Sequence, residues 1–465
     1  MWAFLGNFSE LPGFSQEQCI KITIAFPFFD FLTHFGGTKT MKILIQHGRV
    51  VHPVTGTVLL QDLLIEDGKI ALLDRGLNAQ ADLVIPASGL VVCPGLVDMH
   101  VHLRDPGLTY KEDILTGTAA AAHGGVTSVA CMANTSPVVD SPEQIEYILN
   151  RARFGSGVHV YPIGAVSMGL RGEEPTDAEA LKKAGAIALS DDGCNVDNAN
   201  LMRDVLIRAR RLDMPVLCHC EDTSMVEGRA VNEGSVSRQL WLEGRPAIAE
   251  ELVVMRDAML AEETGAHVHI CHVSTARSVD IIRKMKKKGI HLTCETCPQY
   301  FWLTEDEILT QGSMARVNPP LRTSQDVKGI LAGLKDGTID VIATDHAPHS
   351  AEEKARPLTK APSGMVGLET SLALTLTGLY HTGKMELPDI IRRMSTNPAD
   401  ILHLPKGRMS LGVAADLTIF DPDQEWTIDP EQFASKGRNT PFAGTQVKGR
   451  VKYTIVDGQI IYQDT

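Results

Sequence analysis

Hydrophobic and polar positions along the chain fall into two alternating textures. From residue 41 to about 92 the apolar residues form short β-rich runs cut by turns, at 42–45, 58–66 and 69–73, with Asp67-Gly68 as a hairpin signal. The C-terminal stretch repeats this at 415–420, 447–456 and 459–462, around a second Asp-Gly at 457–458. Such flanks predict one small β-sandwich domain built from both chain ends, residues 41–92 plus 404–465. Between them, eight apolar strand-like runs (96–102, 126–132, 158–166, 186–190, 215–219, 267–273, 290–295 and 339–345) alternate with helix-compatible segments such as 111–123, 141–154, 197–212, 247–264 and 278–288. Eight parallel strands with crossover helices over about 300 residues are the pattern of an α/β chain folded as a (β/α)8 TIM barrel, here residues 93–403. A doubly wound sheet is the alternative, but no glycine-rich phosphate loop follows the first run.

The first 40 residues depart from this pattern. They hold eight of the chain's 13 phenylalanines, and they lack the basic start and clean apolar run of a targeting peptide. The expectation is that 1–40 is an atypical extension from a misassigned start and that Met41 is the native one. A net charge of −13 argues against a binder of nucleic-acid backbones. No apolar stretch reaches the roughly 18 residues of a membrane-spanning helix. Nine scattered cysteines, several inside apolar runs, read as reduced thiols of a cytoplasmic enzyme, and Cys294/Cys297 as a core pair rather than a zinc clip.

In a (β/α)8 barrel, chemistry sits where the strands end. The first run ends in Asp98-Met-His100-Val-His102, the fourth in Ser190-Asp191-Asp192, the fifth in Cys218-His219, the sixth in Cys271-His272 and the eighth in Thr344-Asp345. One such polar residue would be an ordinary satisfied core group. Six nitrogen and oxygen donors from five strands have no comparable structural excuse, because burying them unpaired is costly. The donor types suit Zn2+, with Mn2+, Co2+ or Fe2+ as alternatives, and two ions bridged by a carboxylate would use all six.

The motifs Gly95-Leu-Val-Asp-Met-His100-Val-His102-Leu-Arg104-Asp105-Pro106-Gly107, Met132-Ala-Asn134-Thr135, Ser190-Asp-Asp192-Gly193, Cys218-His219-Cys-Glu221, His269-Ile-Cys-His272-Val-Ser274, Asn318-Pro-Pro320-Leu321-Arg322 and Ala343-Thr-Asp345-His346-Ala-Pro-His349 resemble those of the amidohydrolase superfamily, specifically the bacterial class I dihydroorotases. The resemblance runs from about Met41 to the C-terminus. It implies two zinc ions per subunit, one held by His100, His102 and Asp345, the other by His219 and His272, with Asp192 bridging. Between Asp191 and Asp192 the spacing alone does not choose, and Lys182 and Lys183 are the only nearby lysines for the bridge that many relatives use.

The resemblance further implies reversible cyclisation of N-carbamoyl-L-aspartate to dihydroorotate, a step of pyrimidine biosynthesis. Asp345 would carry the proton, and His102, Arg104, Asn134, Asn318, His349, Ser363 and Gly364 would bind substrate. Arg104 offers a planar fork for a carboxylate, with an ion pair to Asp105 as its bland alternative. The expected partners are a small-molecule substrate and a second copy in a homo-oligomer, with association with aspartate transcarbamoylase left open. No nucleic acid and no membrane are expected. Residues 350–363 read as a mobile loop beside the site, and 284–288 as a solvated basic helix end. By strand parity His267 and His269 should point away from the metals, and Asp98 should pack behind them. The competing functions are a hydantoinase, dihydropyrimidinase or allantoinase on the same scaffold, and a non-catalytic scaffold subunit of aspartate transcarbamoylase.

Overall fold

A computed structural model describes residues 41–464; the extension expected at 1–40 lies outside the described residues. The first strands are β1 (Ile43–His52), β2 (Thr57–Glu66), β3 (Lys69–Asp74), β4 (Leu83–Pro86) and β5 (Val91–Pro94). Barrel strands follow as β6 (Leu96–Val101), β7 (Val126–Cys131), β8 (His159–Pro162) and β9 (Val216–Cys218). A short parallel pair, β10 (Val231–Asn232) and β11 (Gly244–Arg245), precedes the barrel strands β12 (Val268–Ile270), β13 (Leu292–Thr296) and β14 (Val341–Ile342). The chain closes with β15 (Leu417–Thr427), β16 (Gln446–Val456) and β17 (Gln459–Gln463).

Both chain ends meet in one sheet ordered β17-β16-β15-β5-β1-β2-β3, with β4 on β1. Its apolar face packs Ile43, Ile45, Leu63, Ile65, Leu417 and Ile455 into a core separate from that of the barrel. From β5 the chain runs straight into β6 through Gly95. A Cβ there would lie 2.2 Å from Thr127 Oγ1, so only glycine lets the sheet feed the barrel this closely.

The barrel consists of two parallel arcs, β6-β7-β8 and β9-β12-β13-β14. Leu189 joins them on one side by parallel bridges to Gly164 and Val216. On the other side Val101 bridges His346, and the His102 N–H donates to the His346 carbonyl at 2.9 Å. The fourth run is thus a bridge point rather than a full strand, since its chain turns at once into the Asp191–Gly193 segment.

Crossover helices start where side chains satisfy their free amides. Asp113 caps the helix Ile114–His123 and Thr323 caps Ser324–Asp336, each in a reciprocal capping box. Residues 350–363, expected to be loose, contain a helical turn at Ala351–Lys354. It is pinned because Lys354, only 1% exposed, donates to the carbonyls of Pro362 at 3.1 Å and Gly364 at 3.0 Å. At the basic helix end Lys284, Lys287 and Lys288 are exposed as expected, and Lys286 Nζ reaches Asp340 at 2.6 Å. All eight described cysteines are free thiols, and Cys294 and Cys297 are fully buried core residues.

Candidate metal centre at the strand ends

The six donors expected from the sequence meet in one pocket. His100 and His102, at the end of β6, aim their Nε2 atoms at Asp192, 3.3 Å from Oδ1 and 3.4 Å from Oδ2 respectively. Asp345, just past β14, places Oδ1 at 3.5 Å from His100 Nε2 and 3.1 Å from His102 Nε2. From the opposite arc, His219 Nδ1 and His272 Nε2 stand 2.9 Å apart, at 3.7 and 3.6 Å from Asp192 Oδ1. Asp192 therefore lies between a His100/His102/Asp345 group and a His219/His272 group. Asp191 does not compete for that position, because its carboxylate accepts from the Val166 and Ser167 amides at 2.7 and 3.0 Å. Lys182 is spent on the carbonyl of Leu212, away from the pocket.

Three residues of the site carry unusual backbone: Arg104 at φ 59°, His272 at φ 34° and Asp345 at φ 49°. Left-handed geometry at a non-glycine residue costs on the order of 1–3 kcal/mol and persists where the surroundings enforce it. Here it breaks strand alternation just past each strand, and that turns the side chains over the barrel mouth.

None of the six donors is more than 6% exposed. Within this cluster His100 Nε2 and Asp192 Oδ1 are buried and, although 3.3 Å apart, make no well-directed hydrogen bond. Leaving such atoms unpaired costs about 1–3 kcal/mol each, and an imidazole–carboxylate donor set is what a divalent cation requires. These residues fit a bound metal. Electrostatics point the same way. Burial alone would lower the His100 pKa, but Asp192 and Glu295 outweigh it and hold it well above its ordinary value. Asp192, against its own burial, is held well below the usual carboxylate range by the imidazoles of His100, His272 and His102. Both shifts favour positive charge in the pocket, in keeping with a candidate cation site.

Around the donors stands a ring of orienting groups. His100 Nδ1 lies 2.5 Å from Glu295 Oε1, and His102 Nδ1 lies 2.8 Å from Asn134 Oδ1. Asn134 also donates to the Asp192 carbonyl at 3.2 Å. His219 Nε2 faces Glu221 Oε2 at 3.6 Å and the Asn318 amide at 3.2 Å, while Arg245 holds Glu221 at 3.1 Å. Asn134 and Asn318 thus touch the metal donors themselves. Asp98 Oδ1 accepts from the His100 and Thr344 amides at 3.2 and 3.3 Å, tying the first strand to the last; burial raises its pKa to about 6.

Glu295 went unassigned in the sequence, where its one signal is an acid closing the seventh strand-like run. The parity expectation is corrected for His269. His269 pairs in register with Leu217, an interior residue, and its Nε2 lies 3.3 Å from Glu295 Oε2, so it points inward beneath His100. His267 shares the Thr293 hydroxyl with it at 2.8 Å. Parity misleads because β12 ends at Ile270, before the left-handed turn at His272.

On the substrate side, Arg104 is 8% exposed and donates to the Pro348 carbonyl at 3.3 Å. It does not pair with Asp105, which accepts from Tyr147 at 2.9 Å. His349 Nε2 donates to the Ser363 carbonyl at 2.8 Å. Burial, with Arg104 and Lys111 nearby, pushes the His349 pKa down to about 3 and keeps the ring neutral. Gly364 has its N–H on the Arg316 carbonyl at 2.9 Å and its own carbonyl on Lys354 and Asn439, both at 3.0 Å, so its backbone is already engaged.

A family model described as dihydro-orotase-like matches residues 89–278. The dihydroorotase of Pelotomaculum thermopropionicum is 51% identical over 424 residues, 91% of this chain and 99% of that protein. That of Acetivibrio thermocellus is 46% identical over 422 residues, 91% and 99% of the two chains. Among solved structures, the L-hydantoinase (dihydropyrimidinase) from Arthrobacter aurescens superposes with a TM-score of 0.83 at 25% identity, covering 91% of this chain and 96% of that one. The dihydropyrimidinase from Brevibacillus agri gives 0.80 at 26%, covering 91% and 95%. Sheet and barrel are therefore the β-sandwich and TIM barrel expected from the sequence, and among the described residues no helix is long and apolar enough to cross a membrane. With relatives this similar along nearly their whole length, the chain belongs to the dihydroorotase family of cyclic amide hydrolases.

Proposed function

We propose that the chain is a zinc-dependent dihydroorotase that interconverts N-carbamoyl-L-aspartate and (S)-dihydroorotate, with release of water on ring closure. The observation that carries this reading is the convergence of six buried donors beside the buried guanidinium of Arg104, which is free of Asp105. His100, His102 and Asp345 would hold one zinc and His219 and His272 the other, bridged by Asp192. Metal bound there supplies Lewis acidity toward the amide carbonyl and lowers the pKa of the attacking water.

The chain's own groups do the rest. Arg104 takes the substrate carboxylate through its fork, and His349 would join it by turning its one N–H from the Ser363 carbonyl to the carboxylate. Asn134 and Asn318 close the pocket while fixing the rings of His102 and His219. Asp345 accepts a proton from the attacking water during ring opening and hands it to the departing ring nitrogen, so that proton, water and amide balance. Ring closure reverses each transfer.

Turnover of dihydroorotate and N-carbamoyl-L-aspartate, followed by ultraviolet absorbance, tests this. Activity should vanish on chelation, return with zinc and collapse in Asp345→Ala. Full zinc loading with no turnover, but hydrolysis of hydantoins, would move the assignment to the hydantoinases. Absence of both zinc and turnover would favour a scaffold for aspartate transcarbamoylase.

A further inference from the structure

Three consecutive residues with no part in the reaction so far, Tyr110-Lys111-Glu112, reach from the segment after β6 to the loop after β14. The Tyr110 hydroxyl donates to Glu353 Oε1 at 3.0 Å, and Glu112 Oε2 lies 3.4 Å from His346 Nε2. Lys111, between them, divides its ammonium between Glu353 Oε1 at 3.0 Å and His349 Nδ1 at 3.4 Å.

The contact with His349 decides where that ring carries its hydrogen. An ammonium has three N–H groups and no lone pair, so it only donates, and the Nδ1 facing it must accept. On the far edge Nε2 faces the Ser363 carbonyl at 2.8 Å. A carbonyl only accepts, so Nε2 must carry the hydrogen. The other neighbour of Nδ1, Glu353 Oε2 at 3.5 Å, pulls the opposite way. A hydrogen moved to Nδ1 would leave the Nε2 lone pair against the lone pairs of Ser363. Lys111 and the Ser363 carbonyl thus select one tautomer of a neutral ring from both edges. His349 is 6% exposed and the Lys111 side chain 12%, so water is a poor substitute for either partner.

The same geometry argues against Lys111 as a second cation for the substrate. Glu353 neutralises it, and the Tyr110 hydroxyl and the Ser350 amide, at 3.0 and 3.2 Å, hold that carboxylate in place. What remains toward the pocket is one directed N–H, and it ends on His349.

We infer that Lys111 is a positioning residue for ring opening and closure. It keeps the single imidazole hydrogen of His349 on Nε2, the nitrogen that can turn from Ser363 to the substrate carboxylate. This role rests on His349 being a carboxylate contact, as proposed above.

Steady-state kinetics of the zinc-loaded full chain test it. Lys111→Met keeps the apolar stem and removes the donor. Its KM for dihydroorotate should rise about tenfold, the worth of one hydrogen bond, with kcat and zinc per chain at native values. In His349→Ala, where the ring is gone, Lys111→Met should add less than about twofold in KM, because residues that act through one another are not additive. A lysine that only staples the loop, or that attracts the substrate by charge, would raise KM by its full factor in that background too. Either result would overturn the inference, as would a native KM in Lys111→Met. A second reading needs no variant of Lys111. In the native chain labelled with 15N-histidine, the His349 signals, identified by their loss in His349→Ala, should show a protonated Nε2 and a bare Nδ1. A hydrogen on Nδ1 would overturn it. A native chain without turnover of dihydroorotate would instead remove the assigned reaction, and this role with it, whereas an active native chain with a normal Lys111→Met removes this role alone.

Discussion

The carboxylate of Glu295 grips the imidazole of His100 from below, Oε1 to Nδ1 at 2.5 Å, and neither residue is exposed to solvent. That contact fixes the ring so that Nε2 faces Asp192 and Asp345. Outer carboxylates of this kind set both the tautomer and the basicity of a ligating histidine. Replacing Glu295 by Gln should weaken metal binding about 10- to 100-fold, measured by competition against a chromogenic chelator. Unchanged affinity would show that Glu295 only fills the barrel.

Arg104 should govern substrate affinity rather than metal content. Lysine keeps the charge but loses the fork, so Arg104→Lys should raise KM for dihydroorotate by one to two orders of magnitude, about 1.5–3 kcal/mol. Zinc per chain, read by atomic emission, should stay at the native value.

Lys354 staples the strand-eight loop to Arg316, Pro362 and Gly364. Lys354→Met should cost about 1–3 kcal/mol of stability by leaving buried carbonyls unpaired, seen as a lower denaturation midpoint. Because the Ser363 carbonyl positions His349, KM should rise as well. A normal KM in a destabilised variant would separate the staple from the site.

If Asp345 carries the proton, it must be ionised to open the ring and protonated to close it. Ring opening should then accelerate as pH rises and ring closure as pH falls. Parallel profiles in the two directions would rule that role out.

His267 couples stability to acid. Burial, reinforced by His291, His269 and His403, holds its pKa down to about 3, against about 6.5 for a free histidine. Between these values the unfolded chain binds a proton that the folded one refuses, so stability falls as pH falls below about 6.5. From pH 7 to 5 this one residue accounts for about 2 kcal/mol. In urea unfolding, the native chain should lose that much relative to His267→Gln over the same interval. A difference between the two that does not change with pH would contradict it.

The barrel and the donor cluster were legible because five of the eight strand runs end on residues that an apolar core cannot use: His100, His102, Asp192, His219, His272, Asp345. Roles that depend on fine backbone geometry were not. His269 was turned outward by counting parity through His272, and that count fails where the chain enters φ 34°. Glu295 was invisible because nothing in a single strand says which neighbour its carboxylate meets across the barrel. Asp191 and Asp192 were inseparable in sequence, and only the amides of Val166 and Ser167 separate them. The loop at 350–363 looked loose from its charges and prolines, since one lysine buried under three carbonyls leaves no periodic trace.

The pairing of β5 with β15 sets Val92 beside Ile419, more than three hundred residues later in the chain. A ribosome adding roughly 5–20 residues per second needs about 15–60 seconds to supply that partner. Throughout that interval the strand that launches the barrel presents a bare, apolar edge to the cell. The nascent chain is therefore a natural client for a holding chaperone. A chain cut short before β15 would leave that edge open to pairing with another chain, because the last part made is the part that covers the first.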